Sequence, residues 1–308
     1  MHKTKRLLFI YNNRSGRGML RLNLAGIVDV FTKNGYETLI HSTQYAGDAC
    51  DRVQEYAEEV DVIACAGGDG TVNEVITGVM KSGKDIPVFY LPSGSTNDYA
   101  ASLGIPKNQL HAAEAAMSGK LKKVDIGRFN DKYFDYVAAF GLLTDISYAT
   151  NQDLKNKIGY AAYLLEISKR LLNIPVIDMT VTIGSKVYND GWFYGMVTNS
   201  RQVGGIKNIT GPNVSMDDGI FEVTLVRATK NPVEFIEVLS ALATGTESYF
   251  VIREKASVIE FASGDDVTWT LDGELGGSYS YVTIENIEKA IRIAVPDNEN
   301  KADAIEMA

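Results

Sequence analysis

The segment Gly67-Gly68-Asp69-Gly70-Thr71-Val72-Asn73-Glu74 constrains this chain more than any other. It follows an apolar run at residues 62–66 and opens a helical pattern over residues 72–81. The order is therefore strand, glycine loop, helix. Three glycines in four positions are hard to explain by packing alone. Open α/β sheets bind ligands in the crevice at the carboxyl ends of their strands, where such loops lie. Glycine lets the backbone approach a phosphate closely, and the helix start supplies N–H groups and positive partial charge. Asp69 would repel a phosphate, so a better role for it is to hold Mg2+ through water.

Two further loops have the same character. Asn12-Asn13-Arg14-Ser15-Gly16-Arg17-Gly18 follows an apolar run at residues 7–11 and precedes a helical pattern at residues 20–33. Arg17 and Arg21 could add side-chain charge, and a plain strand-to-helix turn explains the loop equally well. It is not a dinucleotide fingerprint, because Arg21 stands where the third glycine belongs. Pro92-Ser93-Gly94-Ser95-Thr96-Asn97-Asp98 follows a strand at residues 87–91. Its small hydroxyl and amide groups can donate to phosphate oxygens, and Asp98 can serve a metal. Three such loops after three strands of one sheet point to one nucleotide site. Gly78-x4-Gly83-Lys84 resembles a P-loop, but Asp85 replaces the required hydroxyl residue and a helix precedes it, so it is rejected.

The first ~125 residues alternate strands and helices, with a strand at residues 37–41 and a helix at 48–59 completing the pattern. This predicts an α/β parallel sheet. Beyond about Asp125, strands at 132–139, 176–183, 192–198, 220–226, 258–261, 267–271 and 281–285 succeed one another, interrupted by helices at 158–172 and 232–244. Alternating polarity in many of them predicts antiparallel pairing. The boundaries are residues 1–127 for an α/β domain and 128–289 for a β-rich one, with residues 290–308 returning to the first. A length of 308 residues suits two domains.

A net charge of −9 argues against nucleic acid and against simple adhesion to an anionic membrane. The two cysteines form no disulfide framework or zinc spacing, which suits a reducing cytoplasm. No apolar run approaches the ~18 residues that a spanning helix needs. The three histidines, His2, His41 and His111, all lie outside the loops, so a general base would be a carboxylate. Asp272-Gly273-Glu274 follows a strand, and a hairpin turn explains it as readily as chemistry does. Asp217-Asp218-Gly219 is equally open between a turn and a hard-cation site.

These motifs resemble the soluble bacterial diacylglycerol kinases of the diacylglycerol/sphingosine lipid-kinase family, distant relatives of NAD kinases. The resemblance runs to about residue 295. It rests on residues 67–74, 92–98 and 123–127, Leu154-Lys155…Gly159…Tyr163, Asp217-Asp218-Gly219 and Asp272-Gly273-Glu274-Leu275-Gly276-Gly277. It implies a three-layer α/β domain and a C-terminal β-sandwich, as in NAD kinases and diacylglycerol kinases. It implies transfer of the γ-phosphoryl of ATP, with Mg2+, to a lipid hydroxyl at the membrane surface. It also implies a cytoplasmic protein that visits the membrane transiently, and it leaves room for a homodimer.

The resemblance assigns roles as well. Asn12, Asn13, Arg14, Ser15, Gly16, Thr43, Gly68, Asp69, Gly70, Thr71, Val72, Asn73, Glu74 and Ser95 would line ATP, with Asn97 in the same loop and Arg17 on a phosphate. Asp69, Asp98 and Asp125 would surround the catalytic Mg2+. Asp272 or Glu274 would accept the proton. A structural Mg2+ would sit on Asp218 and the carbonyls of Ser215 and Ile220. The chain departs from the family at Asn13, usually proline, at Ser95, usually threonine, and at Ala101, often arginine. The last removes a phosphate or headgroup contact, which keeps an NAD kinase and a non-catalytic nucleotide-binding protein as rival readings.

Overall fold

A computed structural model of the chain describes residues 4–15, 19–141, 175–204, 206–207, 210 and 214–297. The helix expected at residues 158–172 and the motif residues Leu154, Lys155, Gly159 and Tyr163 lie outside the described residues. The chain divides into two compact units, Met1–Ile126 with Ile287–Ala308, and Gly127–Asn286.

The first unit follows from its periodicity. Strand β1 (Lys5–Tyr11) leads into helix α1 (Met19–Lys33), whose Leu20, Ile27 and Phe31 recur at helical spacing and are buried. Gly35, at φ 84°, ends that helix in the left-handed region. Strand β2 (Tyr36–Ser42), α2 (Asp48–Tyr56), β3 (Val62–Gly67), α3 (Asp69–Ser82) and β4 (Val88–Pro92) come next, followed by two helices absent from the sequence reading, α4 (Asp98–Ser102) and α5 (Gln109–Ser118). The strands pair in parallel in the order β4-β3-β1-β2. Every residue of β3 is buried, as expected of a central parallel strand. Helix α1 packs on α5, and α2 packs on α3. The chain runs β1 to β2 on one side and β3 on the other, so the topological switch falls between β1 and β3.

The chain leaves this unit along β5 (Lys120–Phe129) and returns along β15 (Glu274–Val295), where Ile293 pairs with Val88 of β4. The second unit is antiparallel. Strand β9 (Lys186–Thr198) and β14 (Val258–Leu271) are its long members. Strand β7 (Val137–Gly141) bridges their carboxyl halves and β8 (Ile177–Ile183) their amino halves. Strands β12 (Phe221–Arg227) and β13 (Val251–Ala256) extend the sheet from β9, and β14 pairs with β15. Short strands β6 (Lys132–Phe134), β10 (Gln202–Val203) and β11 (Ile206–Lys207) complete the set. Phe129, Phe134, Phe140, Trp192, Phe221, Phe261 and Trp269 form the core of this unit. Each contributes about 1.5–3 kcal/mol by burial. Helix α6 (Pro232–Thr244) starts at an Asn231 side chain that accepts from Val233 and Glu234 N–H, and stops at Gly245.

Candidate active site

The carboxyl ends of β1, β2, β3 and β4 carry all the expected loops of the first unit. Asn12 N–H donates to the Ala66 carbonyl at 2.9 Å, which joins the ends of β1 and β3 at the switch point. The Asn12 carboxamide accepts from Arg14 N–H at 2.9 Å and donates to Thr71 Oγ1 at 3.3 Å. Ser15 N–H closes the turn on the Asn12 carbonyl. Asn13 and Ser15 are half-buried, and Arg14 is exposed. Gly16 and Arg17 lie outside the described residues.

The loops after β3 and β4 touch. A Cβ at Gly94 would stand 2.8 Å from the Cα of Gly68, so only glycine permits this approach. Asn97, at φ 52°, closes the second loop, accepting from Gly94 N–H and donating to the Gly94 carbonyl, each at 2.8 Å. This leaves Ser95 and Thr96 exposed at the tip. Gly68 caps α3 with no side-chain hydrogen bond. Gly70 and Asn73 are half-buried, whereas Val72 is fully buried, so only its main chain can face a ligand.

Asp69 and Asp98 are the acidic pair of this junction. Burial pushes the Asp69 carboxyl above the ordinary carboxylate range and the charge of Asp98 adds to it. N–H groups of Tyr99, Asp98 and Asn97 offset part of that rise. Asp69 Oδ1 is buried with no hydrogen-bond partner. A carboxylate strained in this way beside a second one fits a cation, which would relieve the repulsion and occupy the orphan oxygen. Among the described residues no three acidic, histidine or cysteine side chains converge on one ion. Asp125 is fully buried and accepts from Lys289 N–H at 2.7 Å, where Lys289 holds φ 52°.

Thr43 N–H donates to the Tyr11 carbonyl at 2.9 Å, placing the loop after β2 beside the end of β1. Glu74 does not point at a free space. Its two carboxylate oxygens accept from Gly47 N–H at 2.7 Å and Ala49 N–H at 3.2 Å. Sequence reasoning missed this, together with Asp48 and His41. The one signal available was an aspartate in the first turn of a helix.

In the second unit Asp272 is buried and accepts three N–H groups, from Asp135 at 2.7 Å and from Tyr136 and Val137 at 3.0 Å. Asp272 at φ 51° and Gly273 at φ 85° form the tight turn between β14 and β15, and Glu274 beside them is exposed. The Asp218 turn is closed by Ile220 N–H donating to Asp218 Oδ1 at 3.2 Å, and Ser215 Oγ donates to Asp217 Oδ1 at 2.6 Å.

The family profile of the diacylglycerol kinase catalytic domain matches residues 6–129. A diacylglycerol kinase of Bacillus subtilis (strain 168) is 32% identical over 306 residues, 98% of this chain and 99% of the relative. The chain belongs to the diacylglycerol kinase family. A diacylglycerol kinase of Staphylococcus aureus (strain JH9) is 32% identical over 297 residues, 96% of this chain and 93% of its own. A family crystal structure, a diacylglycerol kinase from Bacillus anthracis str. Sterne, superimposes with a TM-score of 0.75 at 25% identity, covering 96% of this chain and 98% of the other.

Proposed function

We propose that the chain transfers the γ-phosphoryl of ATP to the hydroxyl of diacylglycerol, giving phosphatidic acid and ADP. The observation that carries this reading is the Asp69–Asp98 pair at the junction of two abutting glycine loops, at the carboxyl ends of β3 and β4 in a parallel sheet. The likeness to curated diacylglycerol kinases over the whole chain supports the lipid acceptor. No helix among the described residues is long and apolar enough to cross a membrane, so a lipid substrate would be reached from the bilayer surface.

In this reading Asn12, Thr43, the main chain of residues 68–72 and Ser95 bind the nucleotide. Asp69 and Asp98 would hold Mg2+, which would offset negative charge on the transferred group. The lipid oxygen attacks the γ-phosphorus in line, the bond to the β-phosphate oxygen breaks, and the hydroxyl proton passes to a carboxylate. Glu274 is the better acceptor, because the oxygens of Asp272 already serve three N–H donors. Asp272 then shapes the turn that presents Glu274. A structural cation on Asp218 and the Ser215 and Ile220 carbonyls belongs to the same reading.

The test is transfer from labelled ATP to short-chain diacylglycerol, to NAD and to no acceptor. Labelled phosphatidic acid is the expected product. Labelled NADP would favour the NAD kinase reading. ATP binding without transfer to any acceptor would mean a non-catalytic protein.

A further inference from the structure

We propose that Asp48, a residue outside every motif above, is a positioning residue for nucleotide binding. It acts with Glu74 as a two-carboxylate clasp on the loop between β2 and α2. The inference rests on the kinase reading and adds a determinant to its nucleotide site.

The loop covers residues 43–47 at the ligand end of the sheet, and its tip residues Gln44, Tyr45 and Ala46 are exposed. Its fixed points are polar and lie beneath that tip. Asp48 Oδ2 accepts from Gln44 N–H at 2.7 Å and lies 3.0 Å from His41 Nε2. Arg52 Nε stands 3.5 Å from the other oxygen. Glu74 reaches the same loop from α3, taking Gly47 N–H at 2.7 Å and Ala49 N–H at 3.2 Å. Gly47 holds φ 91°, a left-handed conformation that glycine adopts readily.

The clasp is continuous with the proposed site. Thr71 and Glu74 are three residues apart on α3 and so lie on one face of it. Thr71 Oγ1 receives the Asn12 amide from the β1 loop, while Glu74 holds the β2 loop. One helix face therefore sets the separation between two loops that a nucleotide would have to meet together. The Asp48 side chain is almost completely buried, although placing a charge there is costly without several partners. A helix start alone needs only a small polar cap. A carboxylate that also spans back to Gln44 and His41 fixes the loop's entry and exit at once.

The experiment is titration of the full chain with ATP and Mg2+ in the absence of lipid, followed by steady-state kinetics on Asp48→Ala and Asp48→Asn. Loss of a buried charged acceptor should weaken ATP binding by Asp48→Ala by about 10-fold or more. Turnover at saturating ATP should stay within about threefold, because the carboxylate touches the loop and not the reacting groups. Asp48→Asn keeps an acceptor for Gln44 N–H and should recover most of the affinity. A lower melting temperature with unchanged ATP affinity in folded Asp48→Ala would overturn the inference alone. A wild type that binds no ATP overturns the kinase reading as well. Should Asp48→Ala not fold, Glu74→Gln decides: weaker ATP binding supports the clasp, and wild-type affinity overturns it.

Discussion

Asp69 sits where burial and the neighbouring Asp98 both favour its protonated form. A residue kept at such a cost is expected where function requires it. We therefore expect Asp69→Asn to reduce turnover by ~10²-fold or more while the melting temperature of the metal-free protein stays level or rises. Melting and single-turnover measurements on one preparation check both halves. Asp272 and Glu274 should part in the opposite sense. Asp272→Ala leaves three N–H groups without their acceptor and should cost several kcal/mol of stability. Glu274→Gln should leave the melt unchanged and slow single turnover by ~10²-fold. Equal single-turnover rates for Glu274→Gln and wild type would mean that the proton goes elsewhere. Residue type and spacing made Asp69, Asn97 and Asp98 legible as candidate site residues. They could not show that Glu74 and Asp272 turn inward to backbone donors, because those donors come from segments 25–27 and 135–137 positions away.

Elements with a strong local period were readable, and those shaped by distant partners were not. The helix at residues 232–244 is α6 as bounded by Asn231 and Gly245, both local signals. The strand expected at 132–139 is instead two, β6 and β7, because residues 135–137 turn their N–H groups to the Asp272 carboxylate. Conversely, the strands expected at 258–261 and 267–271 are one, β14, carried through an irregularity by its pairing with β15. Strand β5 was missed because its Lys120-Leu121-Lys122-Lys123 start has no apolar run. The fit between α2 and α3 is another long-range property. A Cβ at Gly78 would lie 2.7 Å from Val53 Cβ and 2.9 Å from the Cys50 carbonyl oxygen. We expect Gly78→Ala to destabilise by about 1–3 kcal/mol despite its better helix propensity, as read from denaturant midpoints.

At the scale of the molecule, the ionisable groups pull stability in two directions. Burial raises Asp69 and Glu222, so the native state holds extra protons just above the ordinary carboxylate range and loses stability as pH rises through that window. Asp48 and Glu254 are lifted by burial too, but their hydrogen bonds, from His41 and Gln44 and from Lys186 and Tyr188, outweigh it and hold them low. Their contribution is present above the ordinary range and disappears as pH falls through their lowered values. With a net charge of −9 at pH 7 adding self-repulsion, the metal-free protein should melt highest near pH ~5 and lower at pH 7 and below pH ~4. Differential scanning calorimetry across that range checks the shape. The first unit is completed only when β15 returns from residue 287 onward. That return has an evolutionary consequence. The segment matched by the catalytic-domain profile ends at residue 129, yet β4 takes one of its partners from Ile293. A gene fragment encoding only that segment would leave β4 as a bare apolar border inviting intermolecular strand addition. The first unit is thus poorly suited to exchange between genes as a detachable module, and insertions are better tolerated inside the β-rich portion than cuts at its boundaries.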